Sequence, residues 1–236
     1  MEVAEAQPQA TEQEKGTVKI TVCLSLSGVA EGGEKVYEEF EKQIAEMEAS
    51  AELGERHCSM GQVGCRGYCS RDVLVDVYVP GQERVTYEKV KPAMVKTILK
   101  DHIVEGKVFK KAAAKEEYYE NLKTQNRVAL EFGGRIDPEN IDEYIALGGY
   151  EGMKKALTTK KPAQIIEEII RSGLRGKGGG GFVTGHKWKK AANAYTPDGA
   201  RYIIVNGDEG NPASYMDRSV MEGAPAQVIE GLIIGA

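Results

Sequence analysis

Alternation and helical spacing along the chain predict a small α/β module first, then helices separated by glycine-rich and polar loops. Residues 17–23, TVKITVC, alternate and are β-branched, which predicts a strand. In residues 34–50, EKVYEEFEKQIAEMEAS, the apolar positions Val36, Phe40, Ile44 and Met47 recur at helical spacing and predict an amphipathic helix. A further strand is expected after Gly54, ahead of the loop GQVGCRGYC. Val73–Val79, VLVDVYV, is the second clear strand, and Pro80-Gly81-Gln82 turns the chain into Arg84–Tyr87. Pro92 then opens a helix to about Val104. The order β-α-β-β-β-α falls within about ninety residues, a compass typical of one small α/β unit.

Residues 110–126 are charged and read as a helical linker or brace. Asp137-Pro138-Glu139 is expected to start a helix that Gly148-Gly149 breaks. KPAQIIEEIIRSGL reads as a helix from Pro162, with Ile165, Ile166, Ile169 and Ile170 on one stripe, stopping at Ser172-Gly173. Thr184–Ala194 is helical in pattern, and Thr196-Pro197-Asp198-Gly199 is a turn. RYIIV, residues 201–205, reads as a buried strand, NGDEGNPASYMDR as a polar loop, and Pro225 opens the last helix. The fold class is α/β. The boundaries expected are a disordered tail over 1–16, a module over 17–110, a helical linker over 111–131 and a second domain over 132–236.

Composition narrows the function. The 236 residues are 41% hydrophobic and 28% charged with a net charge of −5, a globular balance without the basic excess of a nucleic-acid binder. No stretch approaches the twenty or so apolar residues of a membrane span. The opening MEVAEAQPQATEQEKG is polar and acidic and lacks the apolar core of a secretory signal, which points to the cytoplasm. All four cysteines lie between positions 23 and 69; in a chain without an export signal they bind metal or are simply buried, rather than forming disulfides. The end, PAQVIEGLIIGA, stops inside an apolar helical pattern without a cap, as a truncated domain would.

The densest chemical signal is SGLRGKGGGGFVTGHKW, residues 172–188, with seven glycines in the thirteen positions from Gly173 to Gly185. Gly176, Gly178 and Gly181 formally match a dinucleotide fingerprint, but that motif follows a strand and this one follows a helix. His186-Lys187 after Gly185 rules out a Walker A loop. A flexible hinge is the plain alternative. A bare backbone beside Phe182, Lys187 and Trp188 fits a flat anionic cofactor better: main-chain N–H groups reach its oxygens, an aromatic stacks and a lysine neutralises phosphate. Asn206, Asp208 and Glu209, expected at the C-terminal edge of a strand, fit the same picture, with a solvated turn as the alternative.

SGLRGKGGGGFVTGHKWKKA, followed by YIIVNGDEGNPASYMDRSVMEGAPAQVIEGLIIGA, resembles the NADH-binding flavoprotein subunit of respiratory complex I. It is closer still to the β subunits of NAD-dependent, often bifurcating, hydrogenases and formate dehydrogenases. IDPENIDEYIALGGYEGMKKAL resembles the segment before that domain, so the likeness runs from about residue 132 to the end. It implies the start of a Rossmann-like FMN domain, with Gly176, Gly178, Gly179, Lys187, Asn206, Asp208 and Glu209 around the FMN and Phe182 on the nicotinamide side. Asn211 stands where the family often has an acidic residue that meets nucleotide hydroxyls. Lys190 lies near the place of a nucleotide-packing aromatic. Both departures bear on NADH more than on FMN.

VCLSLSG and GCRGYC, in the N-terminal module, resemble the thioredoxin-like [2Fe–2S] ferredoxin domain, which implies two ligand pairs on facing loops. Cys65 and Cys69 form one pair. In the other, the family's Cys-x₄-Cys places a cysteine where this chain has Gly28, leaving Cys23 alone. Cys58 is the expected substitute; oxygen from Ser25 or Ser27, or loss of the cluster, are the alternatives. His57, His102 and His186 are too scattered for a metal site, and Trp188 reads as a packing anchor. The resemblance implies an electron-transfer subunit of a diaphorase-type oxidoreductase, passing electrons between NAD(H) and iron–sulfur clusters through FMN. It also implies partner iron–sulfur and catalytic subunits, and a [4Fe–4S] cluster if a further C-terminal part exists. The alternative is a flavin and iron–sulfur relay or scaffold in a bifurcating complex that does not itself use NADH.

Overall fold

The computed structural model describes residues 16–236, so the expected tail lies, but for Gly16, outside the described residues. The chain divides into two units. One runs up to Leu147 and includes Glu209–Pro225; the other comprises Gly148–Asp208 and Ala226–Ala236.

The first unit is built on a four-stranded sheet in the order β2-β1-β3-β4. Its strands are β1 (Thr17–Cys23), β2 (His57–Val63), β3 (Val75–Tyr78) and β4 (Val85–Tyr87). β1 pairs parallel with β2 and antiparallel with β3, and β3 pairs antiparallel with β4. The parallel pair requires a crossover, supplied by the short α1 (Leu26–Ala30) and the long α2 (Gly33–Ala49). All four apolar positions of the α2 stripe are buried: Val36, Phe40, Ile44 and Met47. They share a core with Val18, Ile20 and Val22 of β1 and Val75 and Val77 of β3. α3 (Pro92–Ile98) begins at the expected proline and continues as a π-helical turn over Leu99–Val104, placing Ile98, Leu99 and Ile103 in the same core. His102 is buried there too, its Nδ1 2.9 Å from the Tyr87 hydroxyl.

The second layer of this unit holds charge. Asp76 of β3 is fully buried and bonds Arg66 Nη1 at 2.7 Å and Thr86 Oγ1 at 2.6 Å. Tyr118, on α4 (Glu116–Lys123), adds its hydroxyl 3.4 Å from the same guanidinium. α5 (Ile141–Ala146) starts at an Asn140 cap, later than the Asp137-Pro138 start expected. A further helix of this unit, α9 (Met216–Gly223), begins in the last three residues of the stretch read as a polar loop.

The second unit is helical: α6 (Glu151–Thr159), α7 (Pro162–Ser172), α8 (Thr184–Asn193) and most of α10 (Pro225–Gly235). α7 stops at Gly173 in the left-handed conformation, as the sequence predicts. Glu230 accepts hydrogen bonds from the Tyr150 and Met153 N–H groups, satisfying the α6 N-terminus. Gly185 permits close packing of α8 on α7, since a Cβ there would sit 2.6 Å from the Ile170 nitrogen. RYIIV is not a buried strand: residues 201–205 carry no strand pairing, and Tyr202 and Ile204 are 86% and 85% exposed. Its apolar, β-branched composition satisfies the strand pattern, but no neighbouring strand among the described residues supplies a ladder.

Candidate functional site

The cysteines of the first unit part company. Cys65 and Cys69, on either side of Gly67, place their sulfurs 3.7 Å apart. A tetrahedral metal with bonds of about 2.3 Å holds two thiolates about 3.8 Å apart, whereas a disulfide needs about 2.05 Å. The pair is therefore spaced as two ligands of one metal. Cys65 also lies 3.4 Å from the Gly67 N–H and 3.4 Å from the Ser219 hydroxyl. Ser219 is on α9 (Met216–Gly223), whose end is packed so closely on the cysteine loop that a Cβ at Gly64 would meet the Glu222 carbonyl at 2.4 Å.

Cys23 closes β1 at the same end of the sheet, its sulfur 3.8 Å from the Gly64 carbonyl and 3.4 Å from the Ser25 hydroxyl. Burial, then the Asp72 carboxylate, push its thiol up to about 12, opposed by the hydrogen bonding with Ser25 and the charge of Arg66. Burial first, and then Cys65, raise Cys69 to about 11. Gly28 sits directly over Cys23: a Cβ there would lie 2.1 Å from the Cys23 carbonyl oxygen, so this backbone admits no cysteine at that position.

Cys58 is not brought to this group. The register pairs Cys58 with Val18 and Val63 with Cys23. Five residues of strand separate those two levels, roughly 16 Å at strand rise. Cys58 packs against the hydrophobic core, where burial and then Glu48 raise its thiol to about 11. The expectation of Cys58 as the substitute ligand fails on this register, although one thiol in the set is still wanting. Among the described residues no three His, Cys, Asp or Glu side chains gather on a single point. A two-iron cluster asks instead for two pairs, and the Cys65–Cys69 pair meets half of that requirement.

The residue missed in sequence is Asp72. It is 5% exposed, its carboxylate faces Cys23 and Ser27, and its Oδ1 has no hydrogen-bond partner. Burial raises its pKa, with hydrogen bonds from Ser27 and Cys23 opposing. Its only sequence signal is an acid directly before the apolar run VLV.

In the second unit the glycine loop is open. Residues 173–180 are exposed, and the loop is closed at its base by Gly176 N–H to the Phe182 carbonyl and Thr184 N–H to the Leu174 carbonyl, both 2.9 Å. Gly179 and Gly181 have φ of +93° and +58°, which explains glycine at those two positions. Gly178 and Gly180 have no such requirement, and a Cβ at any of Gly178–Gly181 would meet nothing within 4 Å. Internal packing does not ask for a backbone this bare, so it fits a flat group that comes close. Phe182 is half exposed, with Lys190 Nζ 5.6 Å from its ring centre. His186, Lys189, Lys190 and Asn193 line a shallow depression of about 380 Å³. Lys187 is exposed on the same helix, and Trp188 packs beside Gly235 of α10, the anchor role expected.

The acidic loop is more occupied than its sequence suggests. Asn206 Oδ1 accepts from Asp208 N–H at 2.8 Å, and Asn211 Oδ1 from Ala213 N–H at 3.1 Å. Both Glu209 oxygens accept from the first turn of α9, at Met216 and Arg218. Burial works against the Glu209 charge, but the N–H groups of Arg218, Asp217 and Met216 outweigh it and hold its carboxyl below the usual range. Glu209 is thus a helix cap, and Asn206 and Asp208 lie exposed in the second unit.

Two segments of the chain are similar to known classes of domain. Residues 1–102 match the family model of the thioredoxin-like [2Fe–2S] ferredoxin, and residues 169–236 that of the Nuo51 FMN-binding domain. The chain is 50% identical over 113 residues to the HndC component of the NADP-reducing hydrogenase of Solidesulfovibrio fructosivorans, a stretch covering 48% of this chain and 22% of that protein. It is 45% identical over 97 residues to an NADH-quinone oxidoreductase component of Aquifex aeolicus, covering 41% and 22%. Among solved structures, the Aquifex aeolicus thioredoxin-like [2Fe–2S] ferredoxin matches at 19% identity and a TM-score of 0.36, over 42% of this chain and 98% of that one. The resemblance carried by the motifs is borne out for both parts. The matched segment spans about a fifth of the length of these curated relatives. No helix among the described residues is long and apolar enough to cross a membrane.

Proposed function

We propose that this chain belongs to an electron-transfer subunit of a cytoplasmic, multi-subunit oxidoreductase, of the NADH dehydrogenase (diaphorase) type. In this reading residues 17–110 are the [2Fe–2S] module, 111–131 a linker and 132–236 the opening of an FMN and NAD(H) domain. Its partners are iron–sulfur and catalytic subunits. The observation that carries the flavin assignment is the open glycine cradle of Gly178–Gly181, in which neither packing nor backbone conformation asks for glycine at Gly178 and Gly180.

FMN, when bound, supplies the exchange between a hydride from NADH and single electrons for the clusters. The chain supplies position. Gly178 and Gly179 let main-chain N–H groups approach the cofactor, Gly176 holds the base of the loop through its N–H to the Phe182 carbonyl, and Phe182 offers an apolar face for ring stacking. Lys187 provides positive charge for a phosphate, with Lys190 beside Phe182 adding to it. Asn206 and Asp208 offer polar contacts, while Glu209 holds the loop by capping α9. A hydride exchange of that kind would ask no side chain of this protein to act as acid or base.

A relay subunit that keeps flavin without using NADH is the second reading. Asn211 favours it: the side chain is neutral, and its oxygen is engaged by Ala213 N–H rather than free for a nucleotide hydroxyl. Anaerobic addition of NADH to the purified complex separates the two. Bleaching of the flavin band supports the first reading. A flavin band that NADH leaves untouched, but dithionite bleaches, rejects it in favour of the relay.

A further inference from the structure

Granted the cluster reading above, one ligand position of the [2Fe–2S] centre has no thiol to fill it. Cys65 and Cys69 make one pair, and Cys23 stands at the end of β1 without a cysteine beside it. The position four intervening residues on is Gly28, where even a methyl group collides with the Cys23 carbonyl. Cys58 is five residue pairs away along the strand.

The two serines of this loop already have structural tasks. Ser25 accepts from Gly28 N–H at 3.3 Å and caps α1, and Ser27 donates to the Cys69 carbonyl at 3.3 Å. Asp72 is different. Its main-chain N–H donates to the Cys69 carbonyl at 3.2 Å, which ties it to the intact pair. Its carboxylate faces Cys23 and Ser27 and its charge is felt at Cys69, so it lies close to both the lone thiol and a member of the pair. The side chain is nineteen-twentieths buried and Oδ1 is left without a hydrogen bond. A buried carboxylate oxygen without a partner is costly unless a cation or donor meets it. Arg66 is the nearby cation and its charge acts on Asp72, but its Nη1 is committed to Asp76 and its Nε and Nη2 make no hydrogen bond, so none reaches Oδ1.

We propose that Asp72 is the fourth ligand of the cluster, completing with Cys23 the iron opposite the one held by Cys65 and Cys69. Carboxylate is an accepted donor to iron alongside softer ligands. Three thiolates and one carboxylate carry the same formal charge as four thiolates, so the centre keeps the charge its fold was built around. The three thiols release their protons to solvent as the iron binds.

The test uses the anaerobically purified full chain in its complex, analysed for iron and acid-labile sulfide and by EPR after dithionite reduction. Asp72→Ala is expected to lose the [2Fe–2S] iron, sulfide and EPR signal. Asp72→Cys keeps iron and sulfide in equal amounts while its absorption and EPR move away from wild type toward an all-thiolate cluster. Cys58→Ala leaves every readout unchanged. An unchanged EPR spectrum in Asp72→Ala overturns the proposal, and loss of the cluster in Cys58→Ala assigns the position to Cys58 instead. Loss in both Asp72 variants reduces Asp72 to a positioning residue. A wild-type chain with no [2Fe–2S] iron removes the cluster reading itself, an outcome distinct from a cluster that ignores Asp72.

Discussion

The two units spend their special residues in opposite ways. In the first, chemistry is buried: Cys23, Arg66, Asp72 and Asp76 are each at most 5% exposed and are held by a sheet and its covering helices. In the second, the glycine loop and the segment 201–208 are exposed, and the backbone is left bare rather than packed. A cluster must be wrapped to keep its ligands fixed, whereas a flavin-type cofactor must be reached by a second substrate. Substitutions in the first unit should therefore register as stability, and those in the glycine loop as binding.

The largest effect is expected at the buried ion pair. Asp76→Ala leaves the Arg66 guanidinium without its carboxylate in the interior and is expected to cost about 3–5 kcal/mol, read by urea unfolding. A loss below about 1 kcal/mol would mean that water reaches Arg66 and the contrast between the units is weaker. Gly178→Val is the counterpart. Its side chain has open space and its φ is not left-handed, so the melting temperature should hold. FMN affinity should fall at least about tenfold, or 1.4 kcal/mol, by fluorescence titration. Equal affinity would return the loop to the status of a hinge.

His102 offers a smaller, pH-dependent effect. Burial lowers its pKa, and its Nε2 has no hydrogen-bond partner. The unfolded chain therefore binds a proton first as pH falls. Stability is expected to be flat above about pH 6.5 and to drop below it, by at most about 1.4 kcal/mol per pH unit, until the folded-state pKa is passed. Equilibrium unfolding of wild type and His102→Asn over that range checks the sign; a stability that rises on acidification contradicts it. The smallest effect belongs to Ile204→Ala, at an 85% exposed position, expected within about 0.5 kcal/mol in the isolated chain. A loss of about 2–5 kcal/mol would restore the buried strand that its composition suggested.

Much of the first unit was legible because period-two and helical patterns dominate it. TVKITVC, the α2 stripe and the Pro92 helix start all appear where alternation and proline put them. RYIIV misled because a β-branched run reports only that a segment suits a sheet, not that a sheet is there to receive it. The start of helix α9 was hidden at the end of a polar stretch, since it depends on Glu209 folding back from seven residues upstream. Asp76 had left a trace, as the one charge inside VLVDVYV; its partner Arg66, ten residues earlier, had none. Cys58 shows the limit for the site. Four cysteines invite a four-thiolate count, and only the β1–β2 register reveals which end of the strand each occupies.

Under the proposed function, electrons would pass from a flavin held at the bare loop to a cluster held at the buried cysteines. Anaerobic NADH should bleach the flavin of the wild-type complex and raise the [2Fe–2S] EPR signal. In Gly178→Val that NADH-driven signal should disappear, while dithionite still produces it. A cluster signal that NADH raises equally in Gly178→Val and wild type would contradict the assignment of the glycine loop.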